Sequence, residues 1–179
     1  SRVRQLSKIK IYSPSGTSGE NLRTELEPEV KVTIEVAESA EAAVRDADLV
    51  VTATTAKAPI LNAESLRPGT HVNAVGSHRP DLREIDGATL ARAKVVVDSR
   101  EAIMAECGDI LLAIKEKSFS ELDIHGEIGE VLAGTKPGRT TAGELTLYKS
   151  VGIAIQDVAT AHLVYQKALQ RKVGTHVEI

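Results

Sequence analysis

Two stretches of this chain carry side chains whose types and spacing could do chemistry. The first is His71-Val-Asn-Ala-Val-Gly-Ser-His-Arg-Pro80, an apolar strand that breaks at Gly76-Ser77 and sets His78 and Arg79 on a loop pinned by Pro80. An imidazole titrates near neutrality, with an ordinary pKa of about 6.5, so His78 can give or take a proton. The second is Ser13-Pro-Ser-Gly-Thr-Ser-Gly19, a turn-forming loop rich in hydroxyls and main-chain N–H groups. Both follow apolar runs that read as strands. In open parallel sheets the carboxyl ends of the strands are where ligands bind. The plain alternative at each place is an ordinary connection, with a solvated histidine at 76–80 and a serine-rich turn at 13–19.

The elements that would position these loops alternate. Ile9–Tyr12 reads as a strand, Glu20–Leu26 as a helix stopped by Pro28, and Val30–Val36 as a strand. Ser39 caps a helix through Ala47, and Asp48–Ala53 reads as a buried strand. Ser65–Arg67 is a helical turn, Val72–Val75 a strand, Ile85–Ala93 a helix, and Lys94–Asp98 a run of valines suited to a fully buried strand. Ser99 caps a helix over Glu101–Glu106, and Ile110–Ile114 is a short apolar segment. Glu127–Ala133 is a short helix ended by Gly134, Leu145–Tyr148 is a strand, and a helix from Ser150 or Gly152 runs to about Arg171. Strands and helices at this spacing make βαβ units, hence an α/β fold with a parallel sheet flanked by helices. The last helix carries Val151, Ile155, Val158, Ala159, Leu163 and Ala168 at helical spacing, a stripe that something must cover.

Composition narrows the function. The chain has 179 residues, enough for one good core, and is 42% apolar and 26% charged, as ordinary globular proteins are. A net charge of −3 with dispersed Lys and Arg argues against nucleic-acid or anionic-membrane partners. No apolar run has the length of a membrane span, and no signal peptide precedes the first strand. One cysteine, Cys107, rules out an internal disulfide and points to the cytoplasm. Cys107 lacks an evident basic neighbour, so an activated thiolate is not expected. His71, His125, His162 and His176 lack zinc-site spacing and read as surface or satisfied core residues, and no metal is expected. Asp98 and Asp109 read as caps or sheet-edge acids. A dinucleotide fold normally opens on a Gly-x-Gly-x-x-Gly turn, and Gly16-Thr-Ser-Gly19 is too sparse to serve.

From about Val3 to Ala168 the sequence nevertheless resembles the ornithine cyclodeaminase and mu-crystallin family. The resemblance is carried by Asp48-Leu-Val-Val-Thr-Ala-Thr-Thr55 with Pro59-Ile-Leu61, His71–Pro80 with Arg83-Glu-Ile-Asp86, and Val97-Asp-Ser99. Gly108-Asp109, Gly126-Glu-Ile-Gly-Glu130 and Leu147-Tyr-Lys-Ser-Val-Gly-Ile-Ala154 with Asp157 complete it. It implies a Rossmann-like parallel sheet that is incomplete, with Ile9–Tyr12 as its second strand. The first strand, the glycine turn and an N-terminal substrate domain would then lie upstream of Ser1. Residues 1–145 would be the partial NAD(P)-binding domain, and residues 146–179 a strand and helix returning toward the substrate domain. Alone, residues 1–179 would neither bind dinucleotide tightly nor turn over.

By the same resemblance, the chain comes from an NAD(P)-dependent protein acting at the alpha carbon of an amino or imino acid, and working as a homodimer. The cofactor-facing positions are Ser13, Pro14, Ser15 and Ser18 on the ribose side, and Thr52, Ala53 and Thr54 after the fourth Rossmann strand. Val75, Gly76 and Val151 lie beside the nicotinamide, while Lys149 is structural or at the rim. Serine hydroxyls in place of an acidic residue favour NADP over NAD. His78 stands where cyclodeaminases carry an aspartate acid/base group and mu-crystallin a serine, and it could protonate an imine nitrogen. Glu106 matches a residue near the substrate. The histidine favours a ketimine or imino-acid reductase, of pyrroline-2-carboxylate type, over an ornithine cyclodeaminase (an ammonia lyase) or alanine dehydrogenase. A non-catalytic NADPH or small-molecule binder of the mu-crystallin kind is the other class.

Overall fold

The computed structural model describes residues 3–175 and residue 177, so His176 lies outside it. The elements run β1 (Lys8–Ile11), α1 (Gly16–Leu26), β2 (Thr33–Val36), α2 (Ala40–Val44), β3 (Leu49–Thr52) and β4 (His71–Ala74). There follow α3 (Gly87–Arg92), β5 (Lys94–Val97), α4 (Arg100–Glu106), α5 (Gly108–Lys115), β6 (Ile124–Glu127), α6 (Ile128–Leu132), β7 (Thr146–Lys149) and α7 (Ala154–Arg171). Every strand pairing among the described residues is parallel. All of these strands therefore deliver their carboxyl ends, and the loops after them, toward one side of each sheet.

The strands form two ladders. One is β1-β2, and the other runs β3-β4-β7-β5-β6. β7, the last strand of the chain, lies at the centre of the larger sheet, bonded to β4 on one side and β5 on the other. The core gathers on this sheet: Val72, Ala74, Val95, Val97 and Leu147 from its strands pack with Ile85, Leu90, Ile103, Ile110 and Ala113, all at 0–1% exposure. Among the described residues, the facing edges of β1 and β3 have no strand partner. Between them runs a groove of about 690 Å³ lined by Lys10, Ile11, Leu49, Val50 and Val51 along its length.

Several elements differ from the sequence reading, each for a local reason. Helix α1 begins at Gly16, so Ser18 and Gly19 lie in its first turn and not in a loop. β2 starts only at Thr33, where its ladder with β1 starts. β3 is not buried on both faces: Leu49 is 44% and Val51 60% exposed, because among the described residues nothing packs over the face to which both point. Ser39 and Ser99 do cap, accepting from the N–H groups of Ala42 and Ala102. Asp86 caps α3 by accepting from Thr89 N at 2.8 Å, which moves its start to Gly87. The apolar segment around Ile110 is helix α5, and β6 was not expected at all, since Ile124-His-Gly-Glu127 has little apolar pattern to announce it. α7 begins at Ala154, later than expected, because residues 150–152 are held in a turn with Gly152 at φ +89°.

No residue of α7 is buried, and Ile155, Val158, Leu163, Val164, Tyr165 and Leu169 are each more than half exposed. No helix among the described residues is long and apolar enough to cross a membrane.

Helix α5 docks tightly under the loop that carries His78. A Cβ at Gly108 would overlap the carbonyl oxygens of Arg79 and Leu82. Gly108→Ala must push the two segments apart, and the expected loss is ~1–3 kcal/mol. It would be read as a lower urea midpoint with an unchanged slope.

Candidate active site

At the mouth of the groove, the loops after β1 and β3 meet. Ser13, Pro14 and Ser18 line one wall, and Thr52, Ala53 and Thr54 the other. The structure thus brings together most of the residues expected to face the adenosine and ribose side. Ser15 lies beside them, its Oγ 2.7 Å from Ser18 Oγ. This pairing turns the hydroxyl away from capping, so α1 starts with no side-chain cap, and its first turn, Gly16-Thr-Ser-Gly19, carries no acidic residue. Such an N-terminus favours a phosphate oxygen. On the facing wall, the Thr52 hydroxyl is buried without a hydrogen-bond partner. That hydroxyl is sealed from the groove, so the fit to a dinucleotide rests on the serine hydroxyls and the uncapped start of α1 at its mouth.

Val75, Gly76 and Val151 are not part of the groove lining; they follow the paired strands β4 and β7. Val75 is 43% exposed at the end of β4, where its N–H still bonds Thr52 O at 2.9 Å. His78 is exposed, with Nδ1 3.1 Å from Gly76 O. Ser77 anchors this loop from beneath, its buried hydroxyl donating to Leu82 O at 2.6 Å. Arg79 is already engaged: its Nε and Nη2 each donate to Asp81 at 3.0 Å, and that bond holds the Asp81 carboxyl below its ordinary pKa. His78 itself makes no ion pair with either residue of this pair. Glu106, at the end of α4, is exposed, and no hydrogen bond or ion pair joins it to His78.

The residues that hold these loops are acids to which the sequence reading gave no site role. Asp98, 4% exposed, ends β5 and points back across the sheet. Its Oδ2 accepts from Ser150 Oγ at 2.7 Å and from the N–H groups of Val151 and Gly152 at 2.9 Å, while Oδ1 accepts from Ser99 N at 2.8 Å. Asp98 is therefore a clamp on the loop after β7. Glu84, fully buried, accepts from Thr54 N at 2.6 Å and Gly76 N at 3.0 Å. Asp109, equally buried in the first turn of α5, accepts from Glu84 N at 2.7 Å and Ile85 N at 2.9 Å, and its other oxygen lies 2.8 Å from Lys149 Nζ. Lys149 is thus wholly internal and not at a rim. The only signal for these positions was their place within the motifs that carry the family resemblance, among them Arg83-Glu-Ile-Asp86. Among the described residues, no group of His, Cys, Asp and Glu is placed to share a metal ion.

A profile of the ornithine cyclodeaminase/mu-crystallin family matches residues 1–172. A Delta(1)-pyrroline-2-carboxylate reductase of Bacillus cereus is 37% identical over 177 residues, covering 98% of this chain and 54% of that protein. Among solved structures, the Thermococcus litoralis Delta(1)-pyrroline-2-carboxylate reductase in complex with NADH and L-proline superposes with a TM-score of 0.93 at 40% identity, over 98% of this chain and 55% of the other. An archaeal alanine dehydrogenase dimer with bound NAD gives a TM-score of 0.87 at 36% identity, over 99% and 54%. The chain spans about half the length of these relatives.

Cys107 sits beneath this network, at the junction of α4 and α5. Burial pushes its thiol up to about 11; Lys149 opposes the shift and Asp109 adds to it. In the unfolded chain the thiol titrates near its ordinary 9.0, so folding is favoured below pH 9 and that advantage is lost as pH rises toward 11. The native protein is expected to leave Cys107 unreacted with an aromatic disulfide reagent at pH 8 and to react fully in denaturant. Its urea midpoint should fall between pH 9 and 11.

Proposed function

Because the chain belongs to the ornithine cyclodeaminase/mu-crystallin family, we propose that it supplies the cofactor-facing half of an NAD(P)H-dependent reductase of cyclic imino acids, of the pyrroline-2-carboxylate type. The observation that carries this reading is an exposed histidine, His78, on a loop whose base is clamped at the carboxyl edge of a parallel sheet. When bound, the nicotinamide supplies a hydride to the imine carbon. The chain's own task is then to deliver a proton to the imine nitrogen, and His78 would be the group that does so. Val75, Gly76 and Val151 would form the floor beside the reacting ring, with Glu106 further out along the substrate side. An aspartate at position 78 would be better matched to amine loss from ornithine; the histidine favours imine reduction.

The serine loop after β1 would read the cofactor's ribose. Ser13, Ser15 and Ser18 offer hydroxyls to a 2′-phosphate and no carboxylate to repel one, which favours NADPH, although the solved relatives above hold NADH and NAD. The groove between β1 and β3 has room for one more parallel strand of about four or five residues. A strand there would satisfy both open edges and join the two ladders into one sheet. The strand, glycine turn and helix implied by the family resemblance would fit here, completing residues 1–145 as a dinucleotide-binding domain. Residues 146–179 would carry α7 toward the substrate domain, and a homodimer would cover its apolar face. A reducing compartment such as the cytoplasm suits the single buried thiol.

Loss of absorbance at 340 nm with pyrroline-2-carboxylate, and formation of proline, tests the reaction in the intact protein. Ammonia release from L-ornithine without net NAD(P)H consumption would instead identify a cyclodeaminase. His78→Ala is expected to lower kcat about 10²- to 10⁴-fold, the usual worth of a positioned acid, with little change in the KM for dinucleotide. Light scattering should report a dimer; a monodisperse monomer would count against the assembly proposed for α7.

A further inference from the structure

Glu84 has a position that neither packing nor family resemblance explains. Its side chain is at 0% exposure, yet no cation among the described residues touches its carboxylate, whose hydrogen bonds are to the main-chain N–H groups of Thr54 and Gly76. A buried charge without a direct counter-ion is unfavourable unless its hydrogen bonds are strong and fixed. These two bonds join the residues following β3 to those following β4. One is on the wall facing the groove, and the other is two residues before His78. The main chain of Glu84 is fixed as well: its N–H is held by Asp109 and its carbonyl accepts from Ile60 N and Leu61 N. Asp109 in turn meets Lys149 at the end of β7. A rigid link therefore runs across the ends of three adjacent strands, β3, β4 and β7.

Gly76 belongs to the same device, because a Cβ there would overlap the Glu84 carboxylate. Resting on the reading of the site given above, we propose that Glu84 is its positioning residue: the carboxylate fixes the spacing between the groove wall at Thr54 and the loop that presents His78. It touches neither dinucleotide nor substrate. Its contribution is preorganisation, which removes from binding the free-energy cost of ordering two loops.

The test uses Glu84→Gln in the intact protein, since glutamine keeps the shape but turns an NH₂ group toward one of the two N–H donors. Amide hydrogen exchange at Thr54 and Gly76 is expected to accelerate at least tenfold while Val95 and Val97 in β5 exchange as before. The dissociation constant for NADPH or NADH, read by cofactor fluorescence, should rise about tenfold. The kcat for imine reduction should fall by a similar factor. Unchanged exchange at residues 54 and 76 would overturn the clamp, and faster exchange with dinucleotide binding within twofold of the parent would overturn its positioning role.

If Glu84→Gln does not fold, Gly76→Ala and Glu84→Ala provide a second route. The binding defect of Gly76→Ala should be suppressed in the Glu84→Ala background, where the overlapping carboxylate is gone. Additive defects would overturn the proposal. A parent protein that binds dinucleotide but reduces no imino acid would sink the reductase reading alone, because the exchange and binding measurements still report on Glu84.

Discussion

One carboxylate, Asp109, ties the site side of this fold together. It sits in the first turn of α5 with no exposed surface and meets the ammonium of Lys149 at the end of the central strand. Its other oxygen receives two consecutive main-chain N–H groups from the segment that leads into α3. Removing two charges from water is expensive, and an ion pair of this kind persists only where geometry and further hydrogen bonds compensate. Here they do so at the centre of the sheet, where α5, β7 and the loop after β4 converge. Stability and site geometry share one set of contacts.

Asp98 repeats the device one strand further along. Its side chain binds the turn at 150–152 much as that of Glu84 binds residues 54 and 76, so two buried acids hold three loops at the carboxyl edge of the sheet by their N–H groups. Carboxylates suit this work because one group accepts several bonds, each strengthened by its charge. Loops that would otherwise be free to fluctuate are set by short bonds to the rigid interior. The exposed side chains, His78 among them, are thereby held on a defined base while keeping access to solvent and ligand.

Much of this was legible in the sequence. Runs such as Lys94-Val-Val-Val97 and Leu49-Val-Val-Thr52 announce strands by their β-branched residues, and Ser39 and Ser99 announce helix starts. The parallel arrangement followed from the alternation, and His78 and the serine loop were marked by where the apolar runs end. β6 was hidden because His125 and Gly126 interrupt any apolar pattern, and its pairing with β5 depends on distant contacts. The roles of Glu84, Asp98, Asp109 and Lys149 were hidden for a related reason. A charged letter reads as surface, and only the three-dimensional arrangement shows that these four are internal. Motif resemblance marked all four positions without saying what any of them does.

The open edges of β1 and β3 have a consequence for how tightly a ligand can be held. Among the described residues no ladder bonds cross from one sheet to the other, so the serine wall and the wall clamped by Glu84 belong to separate hydrogen-bonded bodies. Relative motion between them is resisted by side-chain packing and by links such as that of Lys10 Nζ to the carbonyls of Ala42 and Arg45, which join β1 to the helix beyond it. A dinucleotide spanning both walls must meet the entropy of locking one body to the other. Whatever segment bridges the two strands would act as an affinity determinant without contacting the ligand at all.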